Sequence, residues 1–303
     1  MNIFISHASV DVEFASKIRR RLQAARMTAW LDRNSIRFGA LLGDELMDAI
    51  KDSRVVVLLW SKAAARSRWV ATEILTAYHL ERFIVPVALD RTKGPMFLQN
   101  NIRIDLHHSA DSVLKDLVRA VKEAPLNANP VPPFVGTESS ELRQFVAGVN
   151  QLQMAEIGYM QGGELKKARQ LHEKVEKVLR SGEKPWHYQP SMLSLAGYHL
   201  KNAYMLKHDA ELNAGRLPRD PLLRRAEKKF FETLFVNPDD PSSLNGQGNV
   251  MFFERELKAA EFFHLRAIDA AKALGGGYPA AEYDLALVRQ FLRAGTKATS
   301  ARN

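Results

Sequence analysis

The chain has 303 residues, of which 46% are hydrophobic and 25% charged, and its formal net charge is +9. That balance excludes wholesale disorder and a collagen-like repeat, and at roughly 100–200 residues per domain the length points to two domains. The absence of cysteine excludes a disulfide-stapled scaffold, a Cys-ligated zinc site and a thiol nucleophile, and fits a reducing, cytoplasmic setting.

The first half alternates strand and helix signals. Asn2 to Ser6 is an apolar strand, and Asp11 to Ala25 is helix-periodic. Thr28 to Leu31 is a second strand and Leu42 to Lys51 a helix. Arg54 to Trp60 is continuously apolar, the mark of a strand buried on both faces. Arg68 to Leu80 is helical. Phe83 to Leu89 forms a fourth strand, whose Pro86 hints at an edge or a strand end. Ile102 to Leu106 is a short fifth, and Ser112 to Glu123 a closing helix. This alternation predicts an α/β fold with a five-stranded parallel doubly wound sheet. Ligands in such sheets sit beyond the carboxyl ends of the strands, so the loops after Ile5, Leu31 and Trp60 are the ones to watch.

Four prolines between Ala124 and Ser140, with Asn127, Asn129 and Gly136, break the pattern. The expected division is a sheet domain at 1–124, a linker at 125–140 and an all-helical domain at 141–303. In the helical part Ala226, Phe230 and Pro238 are followed by Gly248, Ala260 and Ala267. These offsets resemble the tetratricopeptide (TPR) repeat of about 34 residues. Tyr159, Gly163 and Ala168 fit a looser earlier unit. Another runs from Leu193 through Gly197 into Leu222–Val236, its turn stretched by Asp209 to Asp220. About three helix pairs are expected, and Trp186, Phe230, Phe231, Phe252, Phe253, Phe262 and Phe263 should be core.

The longest apolar run, Val55 to Trp60, falls far short of the about 20 residues of a spanning helix, and no signal peptide is evident, so no membrane partner is expected. The basic excess is even. Residues 1–126 carry 19 Lys and Arg against 14 Asp and Glu, and residues 127–303 carry 24 against 20. The densest clusters, Arg19–Arg21 and Arg224 to Lys229, lie in helical segments and read as solvated faces, so no nucleic-acid partner is expected. His107 and His108 are adjacent on a strand end, so they point to opposite faces, and no metal site is expected.

Four motifs stand in register in the first half: Phe4-Ile5-Ser6-His7 before Asp11, Asp32 to Gly39 after the second strand, Leu46 to Ser53 leading into Val55–Ser61, and Ser67-Arg68-Trp69 through Glu73. Together they resemble the Toll/interleukin-1 receptor (TIR) domain, with a flavodoxin-like sheet, over Met1 to about Glu123. Trp69 and Glu73 are four apart and share one helix face, behind Ser67 as a helix cap. Asp11 is expected to tie a loop or cap the first helix. An aromatic plane beside a carboxylate suits a flat cationic ring next to a sugar. Nicotinamide adenine dinucleotide presents that pair. Its nicotinamide leaves as a neutral molecule, so one carboxylate can stabilise the oxocarbenium-like transition state without a second acid.

The resemblance implies more. Enzymatic TIR domains cleave NAD⁺ with the glutamate of a Trp-x-x-x-Glu motif, which Trp69 and Glu73 match. By the same carry-over Glu73 is the catalytic residue. Trp69, Ser6, His7, Gly39, Leu41 and Ser67 contact substrate, with Gly39 and Leu41 coming from the loop after the second strand. That loop reads Phe38-Gly39-Ala40-Leu41 and lacks the proline of animal receptors, which leans toward the bacterial enzymatic branch. The implied activity is an NAD⁺ hydrolase giving nicotinamide and ADP-ribose or a cyclic isomer. NAD⁺ is substrate and no cofactor is needed. The implied partners are further copies, through TIR self-association, and a protein or phage-derived trigger at the helical domain, in antiphage defence. The alternative is a non-enzymatic TIR scaffold or effector that binds other TIR proteins.

Overall fold

The computed structural model describes residues 2–31, 42–98, 104–105, 110–124 and 138–300. It divides into two compact units, Met1–Pro133 and Phe134–Asn303.

The first unit holds β1 (Asn2–Ser6), α1 (Val12–Ala24), β2 (Thr28–Leu31), α2 (Leu42–Asp52), β3 (Val55–Trp60), α3 (Arg68–His79), β4 (Phe83–Ala88), β5 (Ile104–Asp105) and α4 (Ala110–Glu123). The five strands are parallel, in the order β2-β1-β3-β4-β5. Strand alternation sorts the side chains into two layers. Ile3, Ile5, Val55, Val57, Leu59, Val85 and Val87 share a buried cluster with Ala15, Ile18 and Leu22 of α1 and Val113, Leu117 and Val121 of α4. The intervening residues, among them Phe4, Ser6, Val56, Leu58 and Trp60, point to the opposite face, where α2 and α3 pack. With helices on both faces, all six residues of β3 are buried, as its unbroken apolar run predicts.

Pro86 corrects one expectation. β4 is not an edge strand, since β3 and β5 flank it. The proline is tolerated because the described pairing to β5 begins at Val87, one residue later. Of the predicted fifth strand Ile104 and Asp105 are observed; Ile102, Arg103 and Leu106 lie outside the described residues.

The second unit is helical throughout its described residues: α5 (Ser140–Gln161), α6 (Leu165–Trp186), α7 (Pro190–Lys207), α8 (Asp209–Asn213), α9 (Pro221–Leu234), α10 (Pro241–Phe253), α11 (Leu257–Ala273) and α12 (Pro279–Ser300). The closest partners are α5 with α6, α7 with α9, and α10 with α11, with α12 against α11. Proline opens α7, α9, α10 and α12, where a missing N–H costs nothing. Ser139, Asp220 and Asp240 accept backbone N–H bonds as caps of α5, α9 and α10. The stretched turn at Asp209–Asp220 contains α8. Asp220 ties it down by accepting from Lys207 Nζ (2.6 Å) while lying 2.9 Å from His208 Nε2.

Small residues set the helix spacing around Phe230, whose side chain is fully buried. A Cβ at Gly197 would lie 2.6 Å from the ring, and one at Gly246 2.4 Å. The ring therefore sits in a slot that only glycine leaves open. Buried polar groups bridge the remaining contacts. Glu156 accepts from Asn202 Nδ2 (2.9 Å) and lies 2.7 Å from His172 Nδ1. Asn245 lies 2.7 Å from His264 Nδ1 and donates to Asp284 at 3.1 Å. No described helix is long and apolar enough to cross a membrane.

Candidate functional site

β1 lies between β2 and β3, so the chain leaves its carboxyl end in one direction and returns in the other. The crevice beyond β1 and β3 is thus the switch point at which open parallel sheets bind ligands. Ser6 closes β1 beside Leu58 of β3. Its side chain is fully buried, and Ser6 Oγ finds no hydrogen-bond partner among the described residues. His7 follows, also buried, with Nδ1 3.4 Å from the Ile5 carbonyl oxygen.

A clasp spans the crevice. Ser61, just beyond β3, donates to Asp11 Oδ2 at 2.7 Å and accepts from the Ala64 N–H at 3.0 Å. Asp11 thus ties the two loops together. It does not cap α1 through its side chain. The clasp fixes the 3₁₀ turn Ala64–Arg66 that leads into α3.

Ser67 starts α3 in an extended conformation, and its Oγ accepts from the Val70 N–H, the geometry of an N-cap. Every residue from Val70 to Ala77 is buried. A helix packed against the sheet and α2 has little face left for water. Trp69 is half-buried in the first turn, with the Arg68 guanidinium carbon 4.7 Å from its ring centroid. Glu73 follows one turn later with no exposed surface. A carboxylate there acts in a medium of low effective dielectric, where its field on a nearby positive charge is strongest.

The structure thus places Ser6 and His7 on β1 and its exit loop, Ser67 at the N-cap of α3, and Trp69 and Glu73 on α3. Gly39 and Leu41, the expected loop contributions, lie outside the described residues, as do His107 and His108. Among the described residues no group of three His, Asp or Glu side chains could hold a metal ion.

Two features escaped sequence reasoning. One is a small apolar cavity of about 110 Å³ on the α3 side of the sheet. Leu58 and Trp60 of β3, Pro86 and Ala88 of β4, and Gly94, Pro95 and Leu98 beyond β4 line it, and Trp60 Nε1 donates to the Lys93 carbonyl. The lining comes from three separate stretches, so no local motif announces it. The other is Arg68 over Trp69. Adjacent helix residues do not face each other in a regular turn, so spacing gives no signal for it.

No curated protein matches the chain. The family profile for the TIR domain matches residues 3–118, the span that contains the crevice, the clasp and α3. The chain carries a TIR domain at residues 3–118, followed by an all-helical C-terminal region.

Proposed function

We propose that the TIR unit cleaves the nicotinamide–ribose bond of NAD⁺. The observation that carries this reading is Glu73, wholly buried on α3 one turn beyond the half-exposed Trp69. Trp69 takes the flat cationic ring. Glu73 grips the ribose hydroxyls and stabilises the positive charge that grows on the ribosyl carbon as the bond breaks. Nicotinamide departs with the bonding electron pair as a neutral molecule. Water then adds to the ribosyl cation and releases a proton, giving ADP-ribose; attack by a group of the same molecule gives a cyclic product. Ser6, whose hydroxyl has no partner among the described residues, and His7 border the nicotinamide side, while Gly39 and Leu41 complete the site and Ser67 stands near the ribose.

Glu73 has no exposed surface, so substrate reaches it only when neighbouring groups move. This fits an enzyme gated by self-association of TIR units, with the helical region, read as TPR-like repeats, sensing a trigger. Gating protects a host from continuous NAD⁺ loss, and antiphage defence by NAD⁺ depletion is the setting that the family suggests. The test is NAD⁺ consumption with product analysis over a range of protein concentrations, comparing wild type with Glu73→Gln and Glu73→Ala. We expect a loss of about 100-fold or more in both variants. Equal turnover in all three proteins would remove Glu73 from catalysis.

The same burial favours a second reading, a TIR scaffold without activity. It predicts TIR–TIR association that survives Glu73→Ala, and no nicotinamide release at any concentration.

A further inference from the structure

We propose that Arg68 is a specificity-determining residue of this site: its guanidinium covers one face of Trp69, and a cationic substrate ring that takes that face must displace it. The proposal rests on the reading of Trp69 given above and adds a selection step to it. The guanidinium carbon lies 4.7 Å from the indole centroid, within the distance at which the quadrupole of the ring holds a cation. Guanidinium is flat, delocalised and weakly hydrated, and stacks on aromatic faces. An N-alkylated nicotinamide ring is also flat and singly positive. Two such cations cannot share one face of an indole.

The position of Arg68 in the chain strengthens the argument. It is the first residue of α3, where the helix dipole is positive and repels a cation. The helix dipole therefore offers the guanidinium no favourable charge, and the indole is one partner that offsets this placement. Arg68 and Trp69 are both half-buried, whereas Glu73 is shut in. The stacked pair is thus the outer layer that a substrate meets before the carboxylate.

Displacement has different consequences for different ligands. A pyridinium ring without phosphates leaves the guanidinium with no new partner. A dinucleotide brings a pyrophosphate, which arginine binds through paired N–H···O contacts. Arg68 therefore penalises simple cationic rings and spares the dinucleotide.

The experiment uses the full chain and needs no turnover. Trp69-dependent fluorescence quenching by the N-methylnicotinamide cation is titrated in wild type, Arg68→Ala and Arg68→Gln, with Trp69→Phe as the reference whose quenching, from the other three tryptophans, is subtracted. NAD⁺ is titrated in the Glu73→Gln background. A cation–π contact at a half-exposed site corresponds to about two- to fivefold in affinity. We expect both Arg68 variants to bind the N-methylnicotinamide cation tighter by that factor, and neither to bind NAD⁺ tighter. The gain should persist at about 1 M salt, where long-range repulsion is screened to about 3 Å. Unchanged or weaker binding of the cation, a gain that vanishes at high salt, or a saturable quench of undiminished amplitude in Trp69→Phe would each overturn the proposal. The two readings fail separately. If Glu73 is not catalytic, wild type and Glu73→Gln consume NAD⁺ equally while the Arg68 titrations stand.

Discussion

The two units bury polar groups in opposite ways. In the sheet unit Ser6, His7, Ser61, Thr72, Glu73 and Thr76 are buried at the carboxyl ends of β1 and β3 or on α3, and Ser53, which donates to the Ala49 carbonyl ahead of β3, is the exception. The rest of its described core is almost purely apolar. In the helical unit Gln153, Glu156, Lys201, Asn202, Glu227, Asn245, Gln247 and His264 are buried on several different helices. Many of them bond across helix pairs, as Glu156 does to Asn202 and Gln153 Nε2 to the Leu195 carbonyl. Concentrated polar burial marks a site, because the cost of desolvation is accepted in one place. Dispersed, hydrogen-bonded burial marks architecture, because each pair fixes the register of two helices.

Four measurements would break or sharpen this contrast. The largest effect is expected in the helical unit, from packing alone. Phe230→Ala empties the slot between Gly197 and Gly246 and should cost about 3–5 kcal/mol. Urea titration followed by circular dichroism should show it as a lower midpoint for the helical transition, and an unchanged curve would mean that the small-residue slot does not set the packing.

Acid should come next. Burial pushes His264 down to about 4 and His199 likewise, below the ordinary value of 6.5. The unfolded chain therefore binds protons that the folded one refuses as pH falls from 6.5 toward 4. Stability is full above pH 6.5 and declines through that window. For the fully buried His264 the loss is roughly 2–3 kcal/mol. His264→Gln should flatten the pH dependence of the melting temperature, and an equally steep slope in the variant would assign the effect elsewhere.

Breaking the clasp is a smaller perturbation at the site. Ser61→Ala deprives Asp11 and the Ala64 N–H of their partner and should cost about 1–2 kcal/mol. If the crevice is a site and not merely a seam, NAD⁺ turnover should fall by more than the stability change explains. A loss confined to stability would place Asp11 and Ser61 among the structural residues. The mildest expected effect is Ser67→Ala, which removes the cap of α3 for about 1 kcal/mol; amide hydrogen exchange at Val70 should report it, and unaltered protection there would deny the cap any weight.

Much of the sheet unit is readable because its signals are local. The apolar run Val55–Trp60 is β3, and Arg68–Leu80 differs from α3 by one residue. Pro86 misled because residue propensity cannot see that the described pairing of β4 to β5 begins one residue later, at Val87. In the candidate site, the four-residue spacing puts Trp69 and Glu73 on one helix, but no spacing states that Glu73 is shut off from solvent or that Arg68 lies on the indole. Helix pairing in the second unit was legible where small residues recur at fixed offsets, as at Ala226 and Gly248. The partners of Glu156 were not, since they come from residues 16 and 46 positions away.

The amino-acid sequence by itself determined the order of strands and helices, the caps and breaks that bound them, and the motif residues of the TIR domain. These follow from periodicity, backbone propensity and side-chain chemistry, which act over a few residues. Only the tertiary structure decided that β1 and β3 form the switch point, that Asp11 reaches Ser61 across it, and that a carboxylate on α3 is enclosed while its aromatic neighbour carries a cation. Those outcomes depend on which distant segments exclude water together, and solvent exclusion is a property of the packed chain, not of any stretch of it.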